Sequence, residues 1–470
     1  MSFYHIFINY FFFCWHSRDI PHEVRNAKIT TLYKNKGDKG DCNNYRGIAL
    51  QSITGKAFAR ILLTRLQKLA ERILPESQCG FRAGRSTMDM VFSLRQLQEK
   101  CREQQMPLYI AFVDLTKAFD TVSRPSLYKV LKRIGCPPTL LQLIISFHED
   151  MTACIQYEGN ISDRFDVKSG VKQGCVLAPT LFGIYFAALL HHAFKDSQDV
   201  VFIRTRSDGS MFNIRRLKSK TKTTLELIRE LLFADDAALT AHTESALQRL
   251  MDCLASACEL FQLTISIKKT EVLAQGVATP PKITLNGNIL NTVDKFVYLG
   301  STISSTLSLE DELKARIGKA ATAFGKLMKR AWENRKLTKR TKILTCVLCT
   351  LLYGSEAWTL YADQERKLNG FHMRCLRKIL RIDWKDKVTN TQVLQLANIP
   401  SLYQILRHRR MRWLGHVHRM DCHRIPRQLL YGELLEVTRP TGSPMLRHKD
   451  LSKRNMSEIY VNPNTWEKTA

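Results

Sequence analysis

The apolar positions of this 470-residue chain fall into short runs and helical stripes that alternate along most of its length. Ala27–Tyr33 and Tyr45–Leu50 are strand-like runs separated by a polar loop, 34–44. Phe58, Ile61, Leu62, Leu66, Leu69 and Ile73 recur at three- and four-residue spacing, so 54–73 is expected to be a helix that Pro75 stops. The loop Gln78–Thr87, with its glycines and arginines, could let its backbone approach a partner closely, and a helix to about Gln104 follows it. Leu108–Leu115 reads as a strand ending in a carboxylate, Asp114, and Ser126–Ile134 as a helix. Ala153–Tyr157 and Arg164–Val167 read as a strand pair. Gly170 and Gly174 flank Lys172-Gln173 in a close-approach loop before an apolar helix to about Phe194. Lys195–Arg229 reads as a polar, basic insertion with a turn at 207–210. A hairpin is expected around Asp235-Asp236, then an amphipathic helix over Glu244–Phe261 and a strand over Leu263–Leu273 that contains Lys268-Lys269-Thr270. A short strand and turn follow at Phe296–Ser301. Beyond a boundary near residue 305 the chain turns helical, with Leu309, Leu313, Ile317, Ala321, Phe324, Met328 and Trp332 on one stripe. The tail from about Arg439 is polar and has little periodicity. The mixture is α+β.

Composition narrows the class. An apolar fraction of 44% is enough for a buried core and excludes a disordered chain. Lys and Arg number 71 against 43 Asp and Glu, a net of +28, which asks for a polyanionic partner: nucleic acid first, an anionic membrane surface second. Counting residues 311–430 gives 26 Lys and Arg against 9 Asp and Glu, a local net of +17. Such a concentration is the footprint of phosphate-backbone binding, although a solvated helix face would carry the same letters. Thirteen cysteines, odd in number and irregular in spacing, fit a reducing intracellular compartment, cytoplasm or nucleus. Cys346 and Cys349 fall in an apolar run and read as buried helix residues. His416, His418, Cys422 and His423 lack the second well-spaced pair that a zinc site needs. Phe3–Trp15 is apolar but shorter than the roughly 20 residues that span a bilayer. It lacks a basic leader and a cleavage site, so it reads as the end of a core helix, and no stable membrane association is expected.

The candidate chemistry lies in the carboxylates. Asp235 and Asp236 sit side by side between apolar runs, and two like charges there are costly unless a cation neutralises them. Magnesium takes hard oxygen ligands and leaves room for water and phosphates. A harmless exposed turn is the plain alternative. Asp114 lies 121 residues upstream (235 − 114) at the end of another strand, and a sheet can bring the three together. Three carboxylates on one surface would hold two metal ions, the arrangement for in-line phosphoryl displacement. Lys34, Lys36 and Arg46 could face triphosphate oxygens or be ordinary surface cations.

Read in order, several blocks resemble the reverse transcriptase of non-LTR (LINE-type) retrotransposons, closest to the RTE/BovB group. They are Asn44–Leu50, Gln78–Thr87, Ala111–Asp120, Gly170–Leu181, Phe233–Asp236, Lys268–Glu271, Tyr298–Ser301 and, further on, Arg412–Met420. The resemblance implies a right-hand polymerase: fingers over 1–110 leading into the palm, a palm with an antiparallel sheet over 111–305, a helical basic thumb and C-terminal region over 306–430, and a truncated polar tail over 431–470. It implies that Asp114, Asp235 and Asp236, with the Leu115 carbonyl, bind two Mg2+ ions, Mn2+ being the alternative. Phe119 would be the steric gate against a ribose 2′-hydroxyl, and Gln173 and Gly174 would line the nucleotide and template pocket. Lys269, or else Lys268, would give a proton to pyrophosphate; Lys34 and Arg46 would contact the triphosphate, and Tyr298–Ser301 would grip the primer. The implied partners are an RNA template, a DNA primer or target and deoxynucleotides; oligomeric state is left open. Gly47 departs from the Pro that many relatives outside the group carry, and the family's N-terminal endonuclease is expected to be missing from this chain.

The expected activity is therefore RNA-directed DNA polymerisation. A catalytically inactive nucleic-acid-binding relic of a retroelement is the second reading, since a basic thumb can outlast polymerisation. An RNA-directed RNA polymerase is the third, and Phe119 speaks against it because ribonucleotide users need room there.

Overall fold

The structure, a computed structural model, describes residues 3–206, 209–212, 217, 221–327, 348–435, 445–463 and 465–468. It is a mixed α+β chain in which two five-stranded sheets carry the first three hundred residues. Helix α1 (Phe3–Ser17) stacks Phe11 on Phe58, as a core helix should, while Phe12 and Phe13 stay exposed. A short α2 (His22–Arg25) leads into β1 (Ala27–Tyr33), which pairs antiparallel with β2 (Tyr45–Leu50). Helix α3 (Ile53–Ile73) starts where the Ser52 hydroxyl accepts from the Gly55 amide at 3.1 Å, and it buries Phe58, Leu62, Leu66 and Ala70 along one stripe.

Helix α4 (Thr87–Glu103) precedes β3 (Leu108–Val113), whose two faces are both covered. Ala111 and Val113 join the core built with α5 (Arg124–Arg133), α7 (Ala178–Phe194) and α8 (Glu244–Leu260). Leu108, Ile110 and Phe112 point the other way, onto α4. Alternate side chains of a strand leave opposite faces, so a strand buried on both sides must be apolar throughout, as this one is. Helix α6 (Pro138–Ser146) lies between α5 and β4 (Thr152–Tyr157). Being apolar almost all round, it shows no stripe to reveal it in the sequence. β4 runs parallel to β1, and β5 (Asn160–Ile161) and β6 (Phe165–Asp166) pair with β4. The first sheet therefore draws strands from both sides of residue 110.

The stretch 195–229 is not merely an insertion. Its β7 (Val201–Arg206) and β8 (Thr223–Ile228) form a hairpin. The central sheet has the order β14–β11–β3–β10–β9, with β9 (Glu230–Phe233), β10 (Asp236–Ala241), β11 (Glu271–Gln275) and β14 (Asn291–Thr292). The strand expected over Leu263–Leu273 is extended only from Glu271; Lys269 and Thr270 turn back on the Ser266 carbonyl at 3.1 and 2.9 Å. Two small hairpins follow, β12 (Thr284–Leu285) with β13 (Asn288–Ile289), and β15 (Lys295–Tyr298) with β16 (Ser301–Ser304).

A second apolar core is built between residues 309 and 406. It gathers α9 (Glu310–Lys326), α10 (Ala362–Leu380), α11 (Asn390–Ala397) and the start of α12 (Leu402–Arg419). On α9 the buried apolar positions are Leu313, Ala320 and Phe324, while Ala321 of the expected stripe is exposed. Met328, Trp332, Cys346 and two positions of the expected turn, 207 and 208, lie outside the described residues. Cys349 is exposed, not buried. Helix α13 (Ile425–Tyr431) leads to β17 (Glu433–Leu434), which adds to β7. The stretch that reads as a polar tail contains α14 (His448–Glu458), with His448, Leu451 and Met456 buried. No helix among the described residues is long and apolar enough to cross a membrane.

Candidate active site

The central sheet decides where the carboxylates lie. β10 runs antiparallel to β3 with Ala237 opposite Val113, so the residues one step further, Asp236 and Asp114, flank the last pair of that ladder. β9 and β10 are joined by the two-residue turn Ala234-Asp235, because Asp236 pairs with Phe233. All three aspartates thus emerge at one end of one sheet. Asp114 is fixed through its backbone: its carbonyl accepts from Ser266 N at 2.8 Å and its amide donates to Thr270 Oγ1 at 3.3 Å. The turn at 266–270 also aims Lys269, whose Nζ donates to Asp114 Oδ2 at 2.8 Å. The hydrogen bonds beside the bridge between Leu115 and Ile265 involve the Asp114 carbonyl and the Thr116 amide, and neither uses the Leu115 carbonyl.

The electrostatics match that crowding. Burial raises the Asp235 carboxyl, the charge of Asp114 adds to the rise, and Arg46 and Lys269 oppose it. Asp236 is pushed up to about 6 by lost hydration and then by the charges of Asp235 and Asp114. Carboxyls raised first by burial and then by a neighbour's charge lack a compensating positive charge. A hard divalent cation fits such an all-oxygen donor set, and Lys269 alone does not cancel the repulsion.

The other sequence candidates are distributed unevenly. Arg46, on β2, is close enough for its charge to stabilise ionised Asp235. Lys34 is exposed and donates to the Asn43 carbonyl at 2.7 Å, closing its own loop. Phe119 is half-buried, packs 4.6 Å from Phe182, and accepts from Val171 N through its carbonyl at 2.8 Å. Gln173 accepts from the Ala49 amide at 2.8 Å, which fastens its loop to the strand that bears Arg46. The close approach expected of the glycines is to the protein itself. A Cβ on Gly174, whose φ is +101°, would stand 2.8 Å from the Ala49 carbonyl oxygen, and one on Gly170 would stand 2.5 Å from that of Asp120. Tyr298 is buried and donates to the Leu231 carbonyl at 2.9 Å, so it braces β9. Gln78, expected only as the first residue of a close-approach loop, lies beneath the aspartate turn. Its Oε1 accepts from Ala234 N and Gly80 N, both at 2.8 Å, and its Nε2 donates to the Ala234 carbonyl at 3.1 Å. Only its place in a Gln-x-Gly loop hinted at this.

A family model described as reverse transcriptase (RNA-dependent DNA polymerase) matches residues 34–303, a span that holds every one of these side chains. The chain belongs to this family. Among curated relatives, the "RNA-directed DNA polymerase from mobile element jockey" of Drosophila melanogaster is 25% identical over 379 residues, covering 77% of this chain and 38% of that protein. The "Retrovirus-related Pol polyprotein from type-2 retrotransposable element R2DM" of the same fly is 26% identical over 317 residues, covering 66% of this chain and 26% of that one. A solved telomerase from Candida albicans aligns with a TM-score of 0.45 and 14% identity, over 97% of this chain and 67% of that one. This reverse transcriptase chain spans about two-fifths (38%) of the length of the jockey protein.

Proposed function

We propose that the chain is the RNA-directed DNA polymerase segment of a non-LTR retrotransposon of the RTE/BovB type. It would extend a DNA primer 3′-hydroxyl along an RNA template, with deoxynucleotides as substrates and pyrophosphate released. The observation that carries this reading is the meeting of Asp114, Asp235 and Asp236 at one end of the central sheet, within a chain of the reverse transcriptase family. The finer RTE/BovB assignment rests on the segment Arg412–Met420, most of it the second half of α12.

In this reading the three carboxylates, and the Leu115 carbonyl beside them, would hold two Mg2+ ions. When bound, the ions lower the pKa of the primer hydroxyl and neutralise charge on the leaving pyrophosphate. Arg46 offers a planar fork to the triphosphate from the strand that Gln173 and Gly174 grip. Lys34 would add a point charge from the neighbouring loop. Phe119 closes the floor under the sugar and leaves no room for a 2′-hydroxyl. Lys269 gives its proton to the departing pyrophosphate oxygen once it leaves Asp114. Residues 1–110 would serve as fingers leading into the palm, 111–305 as palm and 306–430 as thumb, with the basic surplus counted over 311–430 binding the template–primer backbone. The test is extension of a DNA primer on an RNA template with magnesium. Wild type extends and Asp235→Asn does not. Equal extension by the mutant removes the metal argument.

A further inference from the structure

We propose that Gln78 is a positioning residue for the aspartate turn, holding the peptide groups of Ala234 so that Asp235 and Asp236 keep the spacing a divalent cation needs. This rests on the metal-binding reading of those aspartates. The turn has a structural problem to solve. Ala234 is a non-glycine residue at φ +59°, an uncommon backbone state for a side-chain-bearing residue. It is also nearly buried, 6% exposed, so its amide and carbonyl both need partners that the β9–β10 ladder does not supply. One carboxamide supplies both. Because the Ala234 and Gly80 amides are donors, the atom they share must be the Gln78 oxygen, which leaves the Gln78 amino group for the Ala234 carbonyl.

The support beneath this clamp is stiff. Gln78 is 2% exposed. Its segment lies alongside β9 like an added strand: Leu232 N donates to the Ser77 carbonyl and Cys79 N to the Leu232 carbonyl, each at 3.0 Å. A Cβ on Gly80 would stand 2.2 Å from Ala234 N, so the segment is pressed against the turn with no space between. Arg82 donates to the Pro75 and Gln78 carbonyls at 2.8 and 3.0 Å. From outside the family match, Arg424 pairs with Glu76 at 2.9 Å and with Asp89 at 2.6 Å, gripping both ends of the loop. A side chain wanted only for packing would not need a carboxamide at this point. An apolar side chain of the same length fills the space but leaves three backbone groups unpaired and frees Ala234 to relax.

The experiment compares wild type, Gln78→Met, Gln78→Glu and Asp235→Asn in the full chain. Mn2+ binding is followed by electron paramagnetic resonance without nucleic acid, primer extension is titrated with Mg2+, and template–primer affinity is read by anisotropy. Gln78→Met is expected to weaken Mn2+ binding and extension roughly tenfold to a hundredfold and to raise the Mg2+ requirement, with template–primer affinity almost unchanged. Gln78→Glu keeps the acceptor for both amides and falls between Met and wild type. Unchanged Mn2+ affinity and Mg2+ profile in Gln78→Met overturn the proposal, whatever happens to its melting temperature. If wild type extends, Asp235→Asn does not, and Gln78→Met matches wild type, only the clamp is lost. Extension by Asp235→Asn equal to wild type means instead that the metal-binding reading has failed.

Discussion

Replacing Gly174 by alanine sets two costs against each other, and their sizes decide what the loop does. At φ +101° an alanine is strained by about 1–3 kcal/mol. Its methyl group, 2.8 Å from the Ala49 carbonyl oxygen, adds overpacking of about 1–3 kcal/mol if nothing moves. Lifting the loop away from β2 relieves both, and the bond lost is the one from the Ala49 amide to the Gln173 carbonyl, worth about 0.5–1.5 kcal/mol. The cheaper course wins, so the loop detaches. Urea unfolding should then show a loss of only about 0.5–1.5 kcal/mol, while KM for the incoming deoxynucleotide rises about tenfold as Arg46, three residues before Ala49, loses its brace. The assay is steady-state single-nucleotide incorporation beside equilibrium denaturation. A full loss of about 2–6 kcal/mol with KM unchanged would refute the reasoning, because the loop would then have stayed in place and have no part in the nucleotide pocket.

Two other substitutions probe separate features. Phe119→Val, which opens the space beside Phe182, should admit ribonucleotides and lower discrimination between dNTP and rNTP by roughly a hundredfold; unchanged sugar selectivity retires the gate assignment. Glu433 links the C-terminal region to α4: burial alone would raise its carboxyl, but Lys100 and Lys449 draw it down to about 2. A depressed carboxyl stabilises the fold above its unfolded pKa near 4.5, and that stability is lost as pH falls toward 2. Glu433→Gln should therefore cost on the order of 3 kcal/mol at pH 7 and flatten the stability profile between about pH 5 and 2; a mutant as acid-sensitive as wild type contradicts this.

Much of the site could be read from local pattern. Leu108–Val113 announces a buried strand because every position is apolar, and Leu232–Leu239 announces a hairpin because a polar pair interrupts apolar runs. The amphipathic helices α3 and α8 appear for the same reason: their buried faces repeat at helical spacing. The turn at Lys269 was hidden, since it lies in a run read as strand and only the bonds from the Lys269 and Thr270 amides to the Ser266 carbonyl bend the chain there. Gly170 and Gly174 were legible as close-approach positions but not as contacts with the protein's own backbone.

Helix α4 marks the limit most clearly. Its sequence carries Asp89, Arg95, Gln96, Gln98, Glu99 and Lys100, the letters of a half-exposed helix, yet all of these are buried. Four of them are satisfied from far along the chain: Arg95 by the Thr302 carbonyl at 2.8 Å, Gln98 by the Ser304 carbonyl at 3.0 Å, Glu99 by the His448 amide at 2.9 Å and Lys100 by the Gly432 carbonyl at 2.6 Å. The amino-acid sequence alone thus determined strands such as β1–β3 and the hairpin at Asp235-Asp236, amphipathic helices such as α3 and α8, and the residue types able to hold hard cations, because periodicity and side-chain chemistry are local. The tertiary structure alone decided which polar groups face water, which cations are spent on buried carbonyls, and that Gln78 lies under the aspartate turn. Each of those depends on partners tens to hundreds of residues away, and a polar letter carries no record of its partner.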